Sequence, residues 1–200
     1  MKIFWTIGVI ILLVTIIMLL ILLRYGLLAS VKITEKKVGP YLLIYKKHIG
    51  DYKNVGSIID KLYYDLKDNY GIDVTKGFGL YYDNPQEVPK EQLRSIVGCI
   101  IEGKLIEDLN NLTKKYGVKE YPESKSVVAE FPYKGKLSII LGVFKVYPKL
   151  NTIISNQKHP QNPIMELYDQ PNEKIEYISS VDLSKEVFDS FLKTATTQIP

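Results

Sequence analysis

GLYYDNP at residues 79–85 returns in altered form as MELYDQP at residues 165–171. Aligning Asp83 with Asp169 sets Tyr82 on Tyr168 and Pro85 on Pro171, an offset of 169 − 83 = 86 residues. Each stretch closes an aromatic or aliphatic run at a turn residue, so each reads as a strand end. The surroundings repeat as well. Before the first copy, YLLIYKKHIGDY (41–52) reads as a strand. NVGSIIDKLYYDLKDNYG (54–71) then carries Val55, Ile58, Ile59, Leu62 and Leu66 at helical spacing, with Gly71 as its stop. QLRSIVGCII is the following strand, joined through a turn built on Pro85 and Pro89. The second half runs SVVAEFPY (126–133), the helix-like KLSIILGVFKVYPKLNTII, then PIMELYDQ and KIEYISSV. Pro148 should interrupt or kink that helix. Between the halves, LIEDLNNLTKKYG (105–117) reads as a short helix closed by Gly117.

A strand–helix–strand–strand unit is therefore written twice. One copy has too few elements to bury both faces of its own sheet. The expected fold is α+β: duplicated β-α-β-β units forming one antiparallel sheet, with the helices on one face and a cleft on the other, preceded by one transmembrane helix. The expected division is an anchor over 1–25, a linker over 26–30, the duplicated domain over 31–185 and a C-terminal helix and tail over 186–200. In the last, Val187, Phe188, Phe191 and Leu192 form a side suited to packing on the domain.

Ile3 to Leu23 carry no charge, and only Thr6, Gly8 and Thr15 interrupt their apolar character. As a helix these residues reach roughly 31 Å, enough to cross a hydrocarbon core. Trp5 and Tyr25 stand where interfacial aromatics lie, and Arg24 can snorkel. The run exceeds a signal-peptide core, and only Ala29-Ser30 offers small residues for cleavage nearby, so a retained anchor is expected. Arg24, Lys32, Lys36 and Lys37 follow the span, against Lys2 before it. That bias predicts a lumenal N-terminus and a cytosolic domain. A single cysteine, Cys99, agrees with a reducing compartment.

Several functions are excluded by composition and spacing. Outside Lys2 and Arg24 there are 26 − 2 = 24 basic residues against 22 acidic ones, interspersed along the chain, which makes no footprint for direct nucleic-acid binding. His48 and His159 with one cysteine give no zinc spacing. Glu130 and Leu137 break the P-loop pattern around Gly135-Lys136, and no G-x-S-x-G elbow occurs. No metal or cofactor is expected.

Two side chains rise above this background. Glu166 shares a strand face with Tyr168, and a carboxylate among aromatics can hold an amine or cation, or act as an acid or base. Arg94 is the only arginine after the anchor, against 23 lysines in the same part, which suggests a need for its planar fork. The expected ligand-binding set is Glu166, Tyr82, Tyr168 and Arg94. Three classes stay open: a binding module, a small hydrolase with Glu166 as general base, and a scaffold whose hollow is filled by its own side chains.

GLYYDNPQEVPKEQLRSIVG (79–98), with HIGDYKNVGSIIDKL and PIMELYDQP, resembles the GyrI-like or effector-binding domain family. The resemblance implies a central cleft for a small apolar or cationic molecule, with an acid at the place of Glu166 contributing to binding, and in some members to hydrolysis. With the anchor, YYDNPQEVP and VVAEFPYKGKLSI, the likeness extends to a membrane-anchored branch of the family. That branch implies an endoplasmic reticulum membrane, an adaptor role in ER-phagy through Atg8-family proteins, and contact with a AAA ATPase. Its Atg8-interacting motif lies in a long acidic tail. Tyr63 to Leu66 here fits the aromatic-x-x-aliphatic pattern, but falls on the predicted helix and is expected to be core.

Overall fold

A computed structural model describes residues 2–102 and 109–193. Helix α1 (Lys2–Arg24) buries none of its residues in the fold. A single eight-stranded sheet follows, built from β1 (Lys32–Val38), β2 (Tyr41–Ile49), β3 (Lys76–Tyr81), β4 (Arg94–Ile101), β5 (Gly117–Tyr121), β6 (Ser124–Pro132), β7 (Ile164–Asp169) and β8 (Lys174–Ser180). The helices between and after them are α2 (Val55–Tyr70), α3 (Leu109–Lys115), α4 (Lys136–Asn156) and α5 (Lys185–Lys193). All strand pairs are antiparallel, in the order β1-β6-β8-β7-β3-β4-β2-β5.

The two expected units are present. β2-α2-β3-β4 and β6-α4-β7-β8 meet where β3 pairs with β7. Sequence reading missed β1 and β5, the two edges. β1, KITEKKV, has too few apolar residues to signal a strand, and its charges suit an edge that must not recruit another strand. Residues 105–108, expected to open the short helix before Gly117, lie outside the described residues.

α2 stops where expected. Gly71 sits at φ 64, and Ile72 N–H reaches back to Leu66 O at 3.0 Å, a left-handed closure that glycine makes without strain. α4, by contrast, runs through Pro148 without interruption. Leu66 is fully buried against Ile44 and Cys99, and Tyr63 packs at the edge of that cluster. The Tyr63–Leu66 pattern is core, as expected.

Sheet alternation separates two layers. Ile44 and Cys99 face α2, while Ala129 and Tyr177 face α4. Phe78, Leu80, Met165 and Leu167 point to the other side, where Phe188 and Phe191 of α5 cover them. Tyr45 Oη donates to Phe191 O at 3.1 Å, and Tyr82 Oη to Phe188 O at 2.8 Å. The face away from α2 and α4, expected to hold the cleft, is filled by α5. Its rows of large apolar side chains would cost too much to leave in water.

Candidate functional site

Glu166 stands on the helix side of β7, directly opposite Gly79 of β3. Only 3% of it is exposed. Tyr147 of α4 donates to Oε1 at 2.8 Å, and Tyr168 donates to Oε2 at 2.8 Å. Tyr81 Oη lies 3.3 Å from Tyr168 Oη. Since the Tyr168 proton goes to the carboxylate, Tyr81 is the donor in that pair. Tyr177, beside Glu166 on β8, is fully buried and its hydroxyl finds no partner among the described residues. Ile59 of α2 approaches Gly77 and Tyr168 from above. The acid therefore occupies the seam between the two units, under α2 and α4.

The electrostatics are unusual for a carboxylate. Burial pushes the Glu166 carboxyl above its ordinary 4.5, and the two tyrosine hydrogen bonds pull part of the way back. Burial first, and then the negative charge of Glu166, push the Tyr147 and Tyr168 hydroxyls well above 10. Both tyrosines are thus neutral donors at physiological pH. Among the described residues no lysine, arginine or histidine pairs with Glu166. The site is an uncompensated acid with a lining of aromatic rings.

Glu166 and Tyr168 come together as expected from the sequence; Tyr82 and Arg94 do not join them. Tyr82 lies on the opposite face beneath α5. Arg94 forks onto Asp83, with Nε to Oδ2 at 2.9 Å and Nη2 to Oδ1 at 2.6 Å. That guanidinium holds the Asp83 carboxyl below the ordinary range and ties the ends of the β3–β4 connection. Arg94 is a structural clasp at the sheet margin.

The displacement of Tyr82 has one physical source. A twofold axis normal to an antiparallel pair passes between two directly paired residues. Pairs in this ladder all differ by odd numbers of residues, so the offset is odd, and an axis through the Gly79–Glu166 pair gives 166 − 79 = 87, which matches Tyr81 to Tyr168. The motif alignment at 86 is one residue out, and a one-residue slip turns every side chain to the other face. Sequence reasoning missed Tyr81, Tyr147 and Tyr177. Gly77 and Gly79 alternating with Phe78 and Leu80 were the available signal, because small residues on one strand face leave room for large neighbours. A Cβ at Gly79 would lie 2.6 Å from Tyr81 Oη.

Gly142 of α4 has the same purpose above Tyr177. A Cβ there would meet Tyr177 Oη at 2.2 Å and Phe131 Cδ1 at 3.2 Å. Gly142→Ala is expected to lose about 1–3 kcal/mol through overpacking. Tyr177→Phe, which removes the unpartnered hydroxyl, is expected to be neutral or stabilising by about 1 kcal/mol. Combined, the two changes should recover most of the loss in equilibrium denaturation, a coupling read from the double-mutant cycle. An equal penalty for Gly142→Ala in both backgrounds would refute this packing account.

A family described as the GyrI-like small molecule binding domain matches residues 31–181. Testis-expressed protein 264 of Homo sapiens is 33% identical over 175 residues, 78% of this chain and 52% of that protein. Its Mus musculus homolog is 32% identical over 160 residues, 72% of this chain and 48% of that one. The chain spans about half the length of these relatives. Among solved structures, the EcmrR C-terminal domain superposes with a TM-score of 0.53 at 13% identity, over 76% of this chain and 99% of its own. EcmrR in its DNA complex gives 0.51 at 12%, over 85% and 65%. At those identities the likeness is one of fold.

Proposed function

The chain belongs to the GyrI-like family of small-molecule-binding domains, and from this premise we propose that Glu166 is the anchor point for an apolar cation or amine. One observation carries the reading: a buried carboxylate that, among the described residues, has no cationic partner and is held by neutral tyrosines. A carboxylate in low dielectric strongly favours a positive ligand, and aromatic faces attract cations as well. Such a ligand replaces the hydration that Glu166 lost on folding.

Entry runs through the α2–α4 seam and requires Tyr147 to give way. Tyr147 immediately precedes Pro148 in α4. Pro148 has no N–H for the carbonyl of Phe144, so the helix lacks one hydrogen bond at the turn that carries the lid residue. A hydrolytic role has less support, because no second carboxylate, histidine or lysine is hydrogen-bonded to Glu166 among the described residues.

Titration of the full chain with tetraphenylphosphonium, a permanent apolar cation, tests the proposal. We expect saturable binding that weakens at least tenfold in Glu166→Gln, the scale for losing one desolvated charge contact. Binding should also weaken as pH falls and the carboxyl takes up its proton. Triphenylphosphine oxide, of similar shape and uncharged, should bind weakly and without pH dependence. Equal affinity in wild type and Glu166→Gln would remove Glu166 from the site.

We propose further that α1 crosses a membrane of the endoplasmic reticulum, with the domain cytosolic. The basic excess after the span and the single buried thiol support that orientation. An adaptor role in ER-phagy, with Atg8-family proteins or a AAA ATPase as partners, rests on the resemblance to the anchored branch alone.

A further inference from the structure

α4 carries an apolar stripe that the fold leaves open. Ile140 and Phe144 are 53% and 75% exposed, and Val143 lies beside them at the i, i+3, i+4 spacing of one helix face. Leu28, 79% exposed, is a fourth large side chain in water. The opposite face of the helix is the buried one, through Gly142, Val146 and Leu150.

The stripe lies close to where the chain leaves α1. Residues 25–29 are fastened along α4 and do not swing free. Ser138 Oγ donates to Tyr25 O at 3.0 Å, and Lys145 Nζ donates to Leu27 O at 2.7 Å and Ala29 O at 2.6 Å. Gly26, at φ 105, packs on Phe131 without room for a side chain. A connector of five residues could reach only about 17 Å even if fully extended, and this one is folded into turns. Whatever surface holds Arg24 is therefore within reach of the N-terminal half of α4. The charge agrees: α4 exposes Lys136 and Lys149, holds Lys145 on the connector carbonyls, and contains no acid, and residues 131–165 contain no acid at all. An apolar stripe with lysines and without carboxylates is the composition of a helix that lies in the boundary of an anionic leaflet.

We propose that Leu28, Ile140, Val143 and Phe144 seat the domain on the bilayer, in the headgroup region of the leaflet from which α1 emerges. The proposal rests on the reading of α1 as a spanning helix, and the test separates the two. Full-length protein is reconstituted in phosphatidylcholine vesicles containing phosphatidylserine, with or without brominated acyl chains. The chain has a single tryptophan, Trp5, inside α1, so wild-type quenching reports the anchor. In a Trp5→Phe background, Phe144→Trp reports the stripe, and Glu120→Trp, on edge strand β5 at the far side of the sheet, is the control.

The expected result is blue-shifted Phe144→Trp emission with a quenching constant severalfold above that of Glu120→Trp. Quenching of Trp5 with Phe144→Trp no different from Glu120→Trp would overturn the seating and leave the anchor intact. No quenching of Trp5 would overturn the anchor and the seating with it. A blue shift without lipid quenching that grows with protein density would overturn the proposal in favour of a second copy of the chain on this face.

Discussion

Gly98→Ala is expected to prevent the domain from folding. Gly98 lies in β4, between β3 and β2, opposite Phe78 on one side and Tyr45 on the other. A Cβ there would stand 2.0 Å from Ile44 O and 2.8 Å from Tyr45 Cα. Both are backbone atoms of the neighbouring strand, so no rotamer change relieves the contact. β2 would have to leave β4, breaking the pairing that carries Leu43, Ile44 and Tyr45 into three-layer packing. A loss above about 4 kcal/mol is expected, an exceptional value for one substitution and comparable with the whole stability of an ordinary domain, about 5–15 kcal/mol. Contrast Gly142, where the obstacle is a side-chain hydroxyl that can be trimmed. Soluble yield and near-ultraviolet circular dichroism of the detergent-solubilised chain provide the measurement. A variant with wild-type signal and an unchanged melting temperature would show that β2 and β4 are not packed so closely.

Glu166→Gln should raise stability while weakening cation binding at least tenfold. With its carboxyl raised above 4.5 by burial, the folded state holds a proton more tightly than the unfolded chain does. The sign follows from linkage. The contribution of Glu166 is most favourable below pH 4.5, where both states are protonated. It is lost as pH rises through the raised value, above which the folded state carries a buried charge. Glutamine removes that charge and keeps the contacts, since its oxygen accepts from one tyrosine and its amide donates to the other. At pH 7 the variant should be more stable than wild type, with a higher melting temperature, because glutamine carries no charge to bury. Near pH 4 the two proteins should converge. The difference between variants isolates Glu166, because Asp65, Asp83 and Glu176, whose carboxyls are held low, titrate equally in both. A variant less stable than wild type at pH 7, with the gap unchanged at pH 4, would mean that Glu166 is a structural acceptor whose charge is fully compensated.

A protein that keeps an unfavourable carboxylate between two repeats carries a cost that binding a cation would offset. This connects the two experiments on Glu166. If the charge is costly and no cation is bound, the scaffold reading becomes the better one.

Local sequence determined a good deal. Apolar spacing from Val55 to Leu66 and the Gly71 stop identified α2, the repeated strand ends identified the duplication, and the uncharged run from Ile3 to Leu23 identified α1. Glu166 stood out because a carboxylate in an otherwise apolar and aromatic strand breaks the local pattern. Period-two alternation, however, says only which residues share a face, never which face meets which layer. Cross-strand pairing of Gly79 with Glu166 decided that, and it moved Tyr82 away from the acid and brought Tyr81 to it. Tyr147 reached Glu166 from a helix, across a separation that strand alternation does not describe. α5 covered the face expected to be open because that face bears Phe78, Leu80, Met165 and Leu167, whose burial requires a partner layer from elsewhere in the chain. Side-chain periodicity is a local property of the backbone, whereas register and layer order are set by contacts between distant segments, and those exist only once the chain has folded.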